Sequence, residues 1–332
     1  MSETATVKAW DLPIHRQMMA KKYGVEKNFC FITYGGLGDV LCSEPTVRYA
    51  VEVLKPLLGV KSITVVTRHP QLFSHLPVET LQADENGFLD IDDGLKKYHF
   101  LYLGAHEDNL QNLFFTHNTM LPIDYPALSA LRCQLPLRYR TLKTTVAKNP
   151  IDVYYKVVIH AGNHWKSKCF PKRWWDDVIN NISTFTKPVL IGGPPNTTDQ
   201  KNPGTVDVDS TDCTDLRGKL SIAQSAAVLR DAEVVITNDS LPLHLATIGK
   251  AQIGFLATAK DPEWLMHYRR DLEGEIKFGW GMDNLAQGGA YQRSYTEGMN
   301  SKKISQATSI ELMRWLPEAH TVARYAQKWA RP

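Results

Sequence analysis

Apolar positions in this chain fall into short continuous runs, separated by stretches with helical spacing. That is the pattern of strands alternating with helices. In the first half, Phe29 to Tyr34, Lys61 to Thr67 and His99 to Leu103 read as strands. In the second half, Val157 to His160, Pro188 to Ile191, Val234 to Thr237 and Ala251 to Leu256 do so. Between them a helix is expected from about Val40, with Val47, Val51 and Leu54 on its apolar side, and another over Asp176 to Ser183. Ser221 with Gln224 forms a capping-box pattern before Ala223, Ala226, Ala227, Val228 and Leu229. Pro242 stands where a first helical residue is favoured, followed by Leu243, Leu245, Ala246 and Ile248. Ser309 to Leu316 and Ala319 to Ala330 close the chain with helical spacing. Alternating β and α predicts parallel sheets with helices on both faces.

The chain has 332 residues, more than one ordinary α/β domain and enough for two. The expected division is residues 1–150, residues 151–308, and terminal helices over 309–332, with the crossing near Lys148-Asn149-Pro150. A hydrophobic content of 43% supplies both cores, and a net charge of +3 is too small to announce a nucleic-acid domain by itself. The five cysteines are scattered without a C-x-x-C pair, which favours a reduced, cytoplasmic protein over a disulfide or zinc framework. No stretch has the length and apolarity of a transmembrane segment, and charged residues from Lys8 to Lys22 break any secretory signal.

Two strand-to-helix junctions carry candidate chemistry. At the second, the strand ends at Asn238-Asp239-Ser240 and a helix opens, leaving backbone N–H groups for an anion, with His244 close by in sequence. Ordinary helix capping by Asp239 or Ser240 explains the same residues. At the first, the turn Gly35-Gly36-Leu37-Gly38 precedes Asp39. Leu41 stands where a dinucleotide fingerprint needs its third glycine, which disfavours NAD(P). Glycines let a backbone approach a ligand closely, and a carboxylate presented there can act as a base; a plain structural turn is the alternative. The basic run Arg132, Arg138, Arg140, Lys143, Lys148 either solvates a linker or faces an anionic partner.

Several ordered pieces resemble the heptosyltransferase-type glycosyltransferases. They are Gly36-Leu-Gly-Asp39 with Pro45 six residues on, His160-Ala-Gly162 followed by Trp165 and Lys168, Gly192-Gly193-Pro194, Leu216-Arg-Gly-Lys219, and Asp239 to Ala246. The resemblance implies a GT-B fold: an α/β architecture of two Rossmann-like domains facing across a cleft, acceptor on the first and nucleotide sugar on the second. It implies terminal helices that pack back on the first domain. It also implies an inverting, metal-independent hexosyl-, heptosyl- or pentosyltransferase without a cofactor.

On this resemblance Asp39 is the catalytic base, and Lys168, Gly192, Gly193, Asp239, Ser240, Leu241 and His244 bind the donor. Arg138 and Arg140 are expected at an anionic acceptor, either phosphorylated lipopolysaccharide core or hydroxymethylated pyrimidine in phage DNA. Leu241 and Ala257 replace the family's usual glycines, and their bulk favours a smaller sugar such as a pentose over a heptose. Two other readings remain at this stage. One is a nucleotide-sugar epimerase on the same scaffold; the other is a catalytically silent nucleotide-sugar-binding protein.

Overall fold

The structure, a computed structural model, describes residues 6–8, 28–33, 36–58, 60–83, 88–90, 99–102, 130, 133, 139, 141–152, 154–163, 169–195, 204–256 and 318–330. The chain divides into two units, Met1–Thr145 and Val146–Pro332. The division thus falls just before the Lys148-Asn149-Pro150 stretch where composition placed the crossing.

In the first unit the strands are β1 (Thr6–Lys8), β2 (Asn28–Ile32), β3 (Ser62–Thr67), β4 (Glu79–Gln82), β5 (Phe88–Asp90) and β6 (His99–Tyr102). Four of them form a parallel sheet in the order β4-β3-β2-β6, with Phe31 opposite Val65 and Leu101; β1 and β5 pair antiparallel on their own. Cys30, Phe31, Ile32, Val65 and Val66 are buried, as expected for parallel strands covered on both faces. The expected helix after the glycine turn begins earlier than Val40 and is broken. It comprises α1 (Leu37–Leu41), α2 (Glu44–Tyr49), a π turn over Ala50–Leu54 and α3 (Lys55–Leu58). Pro45 explains the break, because it withholds the N–H that would continue α1 and sits in the first turn of α2 instead.

The second unit contains β7 (Val157–His160), α4 (Lys172–Ser183), β8 (Val189–Leu190), β9 (Thr214–Asp215), α5 (Ile222–Asp231), β10 (Val234–Asn238), α6 (Leu241–Ala246), β11 (Gln252–Leu256) and α7 (Ala319–Trp329). Its sheet is wholly parallel in the order β11-β10-β7-β8-β9. The capping box at α5 forms as the sequence suggests: Gln224 N–H donates to Ser221 Oγ at 3.2 Å and Ser221 N–H to Gln224 Oε1 at 2.9 Å. Helix α4 buries Trp175, Val178, Ile179 and Ile182, the i, i+3, i+4, i+7 stripe of an amphipathic helix.

Helix α7 contributes to the core of the second unit. Its buried face, Val322, Ala323 and Ala326, lies in the same core as α4 and β11, inside the second unit. The small residues on that face let it seat closely against α4. Ser309 to Leu316 lies outside the described residues, as do the Trp10 to Met19 arm, the 104–124 stretch and the 274–291 loop. No helix among the described residues is long and apolar enough to cross a membrane, and the five cysteines form no disulfide.

Candidate active site

The order of the second sheet fixes where a ligand can enter. The chain lays down β7, moves outward to β8 and β9, then returns to the other side of β7 with β10 and β11. Neighbouring helices therefore leave on opposite faces at the β7–β10 pair. In such sheets a ligand crevice is expected outside the carboxyl ends of those two strands. His160 and Thr237 are register partners at that edge, and the segments that leave it are Ala161-Gly162-Asn163 and Asn238-Asp239-Ser240.

These strand ends hold a small polar lattice. The Asn238 side chain bridges the Gly162 backbone, accepting its N–H at 3.2 Å and donating to its carbonyl at 3.0 Å. His160 is buried, with Nδ1 3.1 Å from Thr237 Oγ1. The Thr237 hydroxyl donates to the Asn238 carbonyl at 3.0 Å, so it accepts from Nδ1–H and fixes the neutral tautomer. Burial lowers the His160 pKa to about 4, only partly opposed by a hydrogen bond with Asn238. A neutral ring is what a site for an anion's neighbourhood can keep buried without a counter-ion.

Two glycines close around that ring. A Cβ at Gly162 would lie 2.7 Å from His160 Cε1 and from Asn238 Oδ1. Gly192 has φ +117°, and a Cβ there would lie 2.7 Å from His160 Cδ2 and Thr205 Cγ2. Gly192 also accepts the Gly218 N–H at 2.8 Å, while Thr205 Oγ1 donates to the Gly193 carbonyl at 3.1 Å. The expected donor-side glycines thus sit in a turn tied to three other segments. Their backbone is rigid, and they present no side chain.

Asp239, Ser240 and Leu241 are half-buried at the same edge, with Ser240 as the N-cap of α6. Pro242 is the second helical residue rather than the first. Helix α6 has only six residues, so its dipole is short. His244 is 2% exposed and lies within the helix packing, where its carbonyl accepts from Thr247 Oγ1 at 2.6 Å. Lys168 lies outside the described residues. Just after it in sequence, Phe170 is buried, with its ring 5.0 Å from that of Trp174. Arg217 is not a substitute cation. It is 7% exposed, forked onto Asp215 at 2.9 and 2.7 Å and bonded to the Val206 carbonyl at 2.9 Å. That fork holds the Asp215 carboxyl below its usual value.

In the first unit Asp39 is half-buried in the first turn of α1, where its Oδ2 accepts the Gly36 N–H at 2.9 Å. The carboxylate therefore closes the helix start from inside the helix, not as the residue before it. Beside it, at the carboxyl end of β3, stand Arg68 and His69. Burial, then Arg68, pushes the His69 pKa down to about 4, and the Asp39 charge pulls it back up. Arg138 and Arg140 lie outside the described residues.

Sequence reasoning passed over His160, Thr237 and Asn238 as site-builders, and over Arg68 and His69 beside Asp39. The available signal was positional: each follows or ends a strand adjacent to one already marked. Among the described residues no group of His, Cys, Asp and Glu is arranged to hold a metal ion.

The family model of glycosyltransferase family 9 (heptosyltransferase) matches residues 65–264, more than half of the chain. No curated protein matches the chain in sequence. Among solved structures, TibC of enterotoxigenic E. coli, a dodecameric iron-containing heptosyltransferase solved with ADP-D-β-D-heptose, superposes with a TM-score of 0.63 at 12% identity. It covers 90% of this chain and 76% of its own. A family 9 glycosyltransferase of Veillonella parvula superposes at 0.54 with 15% identity, covering 91% of this chain and 98% of its own. At such identities the likeness establishes the fold. The two Rossmann-like α/β units are those of the GT-B fold.

Proposed function

We infer the reaction from the premise that this chain belongs to glycosyltransferase family 9 (heptosyltransferase) and is a glycosyltransferase. It moves a sugar from a nucleotide-diphosphate donor to a hydroxyl of an anionic acceptor, with inversion and without a metal. The observation that carries this reading is the β7–β10 switch point, whose strand ends hold a neutral lattice beside half-buried Asp239 and Ser240.

In that reaction the bond from the anomeric carbon to the diphosphate oxygen breaks, and its electron pair leaves with the diphosphate. The acceptor oxygen bonds the same carbon from the opposite side, and its proton passes to the Asp39 carboxylate. Charge grows on the leaving group, so stabilisation there lowers the barrier most. Lys168 supplies a full positive charge, the Ser240 hydroxyl and the first α6 amides supply hydrogen bonds, and Gly192 and Gly193 let the backbone approach. Asp39 acts as base because it is half-exposed on a turn whose backbone it stabilises itself. Arg138 and Arg140 hold the acceptor's negative charge.

TibC is described with ADP-heptose, which makes that the first donor to test; Leu241 and Ala257 favour a smaller sugar, so ADP- and UDP-pentoses belong in the same panel. Nucleotide-sugar donors and cysteines that form no disulfide both suit the cytoplasm. The test is a thermal-shift screen of nucleotide sugars, followed by transfer to phosphorylated lipopolysaccharide core and to hydroxymethylcytosine DNA, with and without EDTA. A true donor raises Tm by binding only the folded state. Conversion of the donor with no acceptor present would identify an epimerase instead. A rate that EDTA abolishes and one divalent metal restores would overturn the metal-free mechanism.

A further inference from the structure

The first unit contains a buried carboxylate for which the transfer chemistry has no use. Glu44 is fully buried. Its Oε1 accepts from Arg48 Nε at 2.7 Å and lies 3.1 Å from His75 Nε2. Its Oε2 accepts the Lys143 N–H at 3.0 Å. Arg48, 4% exposed, donates in turn to the Thr141 carbonyl and lies 4.5 Å over the Tyr139 ring.

Three separate segments therefore meet at one carboxylate. The first is the α1–α2 pair, in which Glu44 follows Asp39 by five residues. The second is the chain after β3, which runs from Arg68 and His69 to His75. The third is Tyr139 to Lys143, which flanks Arg140 in sequence and follows Arg138 directly. These are the segments that bear the proposed base, the two groups beside it and the proposed acceptor cations. An apolar pair of similar volume is often as stable as a buried ion pair, so stability alone is a weak reason to keep one here. Joining three segments in one geometry is something an apolar pair cannot do.

We propose that Glu44 is a positioning residue for sugar transfer, holding the Asp39 helix in register with the segment that carries the acceptor-binding arginines; this rests on Asp39 as the base. Its effect is confined to the first unit, so donor affinity is untouched.

The test uses the full chain and two variants. Glu44→Gln keeps the shape and an acceptor for Lys143 N–H but removes the charge. Glu44→Leu/Arg48→Met replaces the pair with apolar side chains and guards against a variant that merely fails to fold. ADP release from ADP-heptose is measured with each of the two acceptors, ADP affinity by calorimetry, and amide exchange over residues 36–49 and 139–145. Both variants should lose about tenfold or more in ADP release, since small misplacements of reacting groups are costly. ADP affinity should stay within about twofold, exchange should rise in both segments together, and the double variant should recover Tm without recovering rate. A double variant with the wild-type rate overturns the proposal, as does a rate loss that only follows the folded fraction.

Asp39→Asn, run alongside, separates the failures. If it is unimpaired, the base assignment falls and the positioning role with it; if it is impaired beside an unimpaired double variant, only the positioning role falls. If the wild type releases no ADP, the donor assignment fails and exchange alone decides. Protection retained over 36–49 in Glu44→Gln then overturns the coupling, and joint opening upholds it.

Discussion

Asp39→Asn separates catalysis from structure because the structure shows what the carboxylate does for the fold. It accepts the Gly36 N–H at 2.9 Å, and an asparagine Oδ1 can accept the same bond. What the fold loses is negative charge in the first turn of a five-residue helix, about 0.3–1 kcal/mol. On the proposed function transfer loses its base, a group that contributes about 10²–10⁴ in rate, or roughly 3–5 kcal/mol of barrier. The two effects differ enough to be read apart. The expected result is a transfer rate down by at least about a hundredfold, a melting temperature nearly that of the wild type, and unchanged ADP affinity by calorimetry. The rate is best followed as nucleoside-diphosphate release at saturating donor, so that binding does not enter. An Asp39→Asn enzyme that keeps most of its rate would refute the reasoning and leave the carboxylate as a helix-start contact only.

Gly192→Ala should destabilise the second unit by roughly 2–5 kcal/mol, adding strain at φ +117° to a 2.7 Å clash with His160 and Thr205; urea unfolding within about 0.5 kcal/mol of wild type would show that the turn relaxes freely. Acid should weaken the fold through His160, whose pKa falls from 6.5 to about 4 on folding. The unfolded chain then binds the extra proton first, so stability is intact above pH ~6.5 and falls by up to about 3 kcal/mol as pH drops towards 4. His160→Asn should flatten that slope in pH-dependent urea titrations, and an unchanged slope would remove His160 from the account. Lys168→Ala should weaken ADP binding by about 1.5–3 kcal/mol, and equal affinity in calorimetry would make the lysine a bystander.

What could be read from sequence was whatever depends on neighbours along the chain. The β-branched runs at Ile63–Val66 and Val234–Ile236 and the Ser221–Gln224 capping box are local, and each forms where its residues stand, whereas α4 starts at Lys172, four residues before the expected Asp176. The start of α1 was misjudged because Leu37-Gly38 looks like a turn by composition, while the Asp39 bond to Gly36 closes a helix there. The contact of α7 with α4 was not legible, because an amphipathic stripe says that a face is buried, not against what. The Glu44 cluster was illegible for the same reason at longer range: His75 and Lys143 lie 31 and 99 residues away, and nothing in a Ser-Glu-Pro triplet announces that its carboxylate is wholly buried.

The two units also divide the handling of charge, and the division bears on which residues matter for the donor. In the second unit the buried histidine is kept neutral, and the one described arginine near the glycine turn is consumed by Asp215 and the Val206 carbonyl. Lys219 is likewise turned back onto the Asp215 carbonyl at 2.7 Å. On the proposed function, a diphosphate at the β7–β10 edge would meet oriented dipoles from that scaffold, not these cations. A six-residue helix contributes about 0.3–1 kcal/mol towards an anion, whereas one charge-assisted contact contributes about 1.5–3 kcal/mol. The balance must come from a cation on a segment that can reach the leaving group without being part of the lattice. On the proposed function that cation is Lys168, two residues before Phe170 in sequence. On this reasoning the lattice sets the shape of the donor site and the lysine sets its affinity. Substitutions at His160 or Gly192 should then show first in stability, and those at Lys168 first in donor binding.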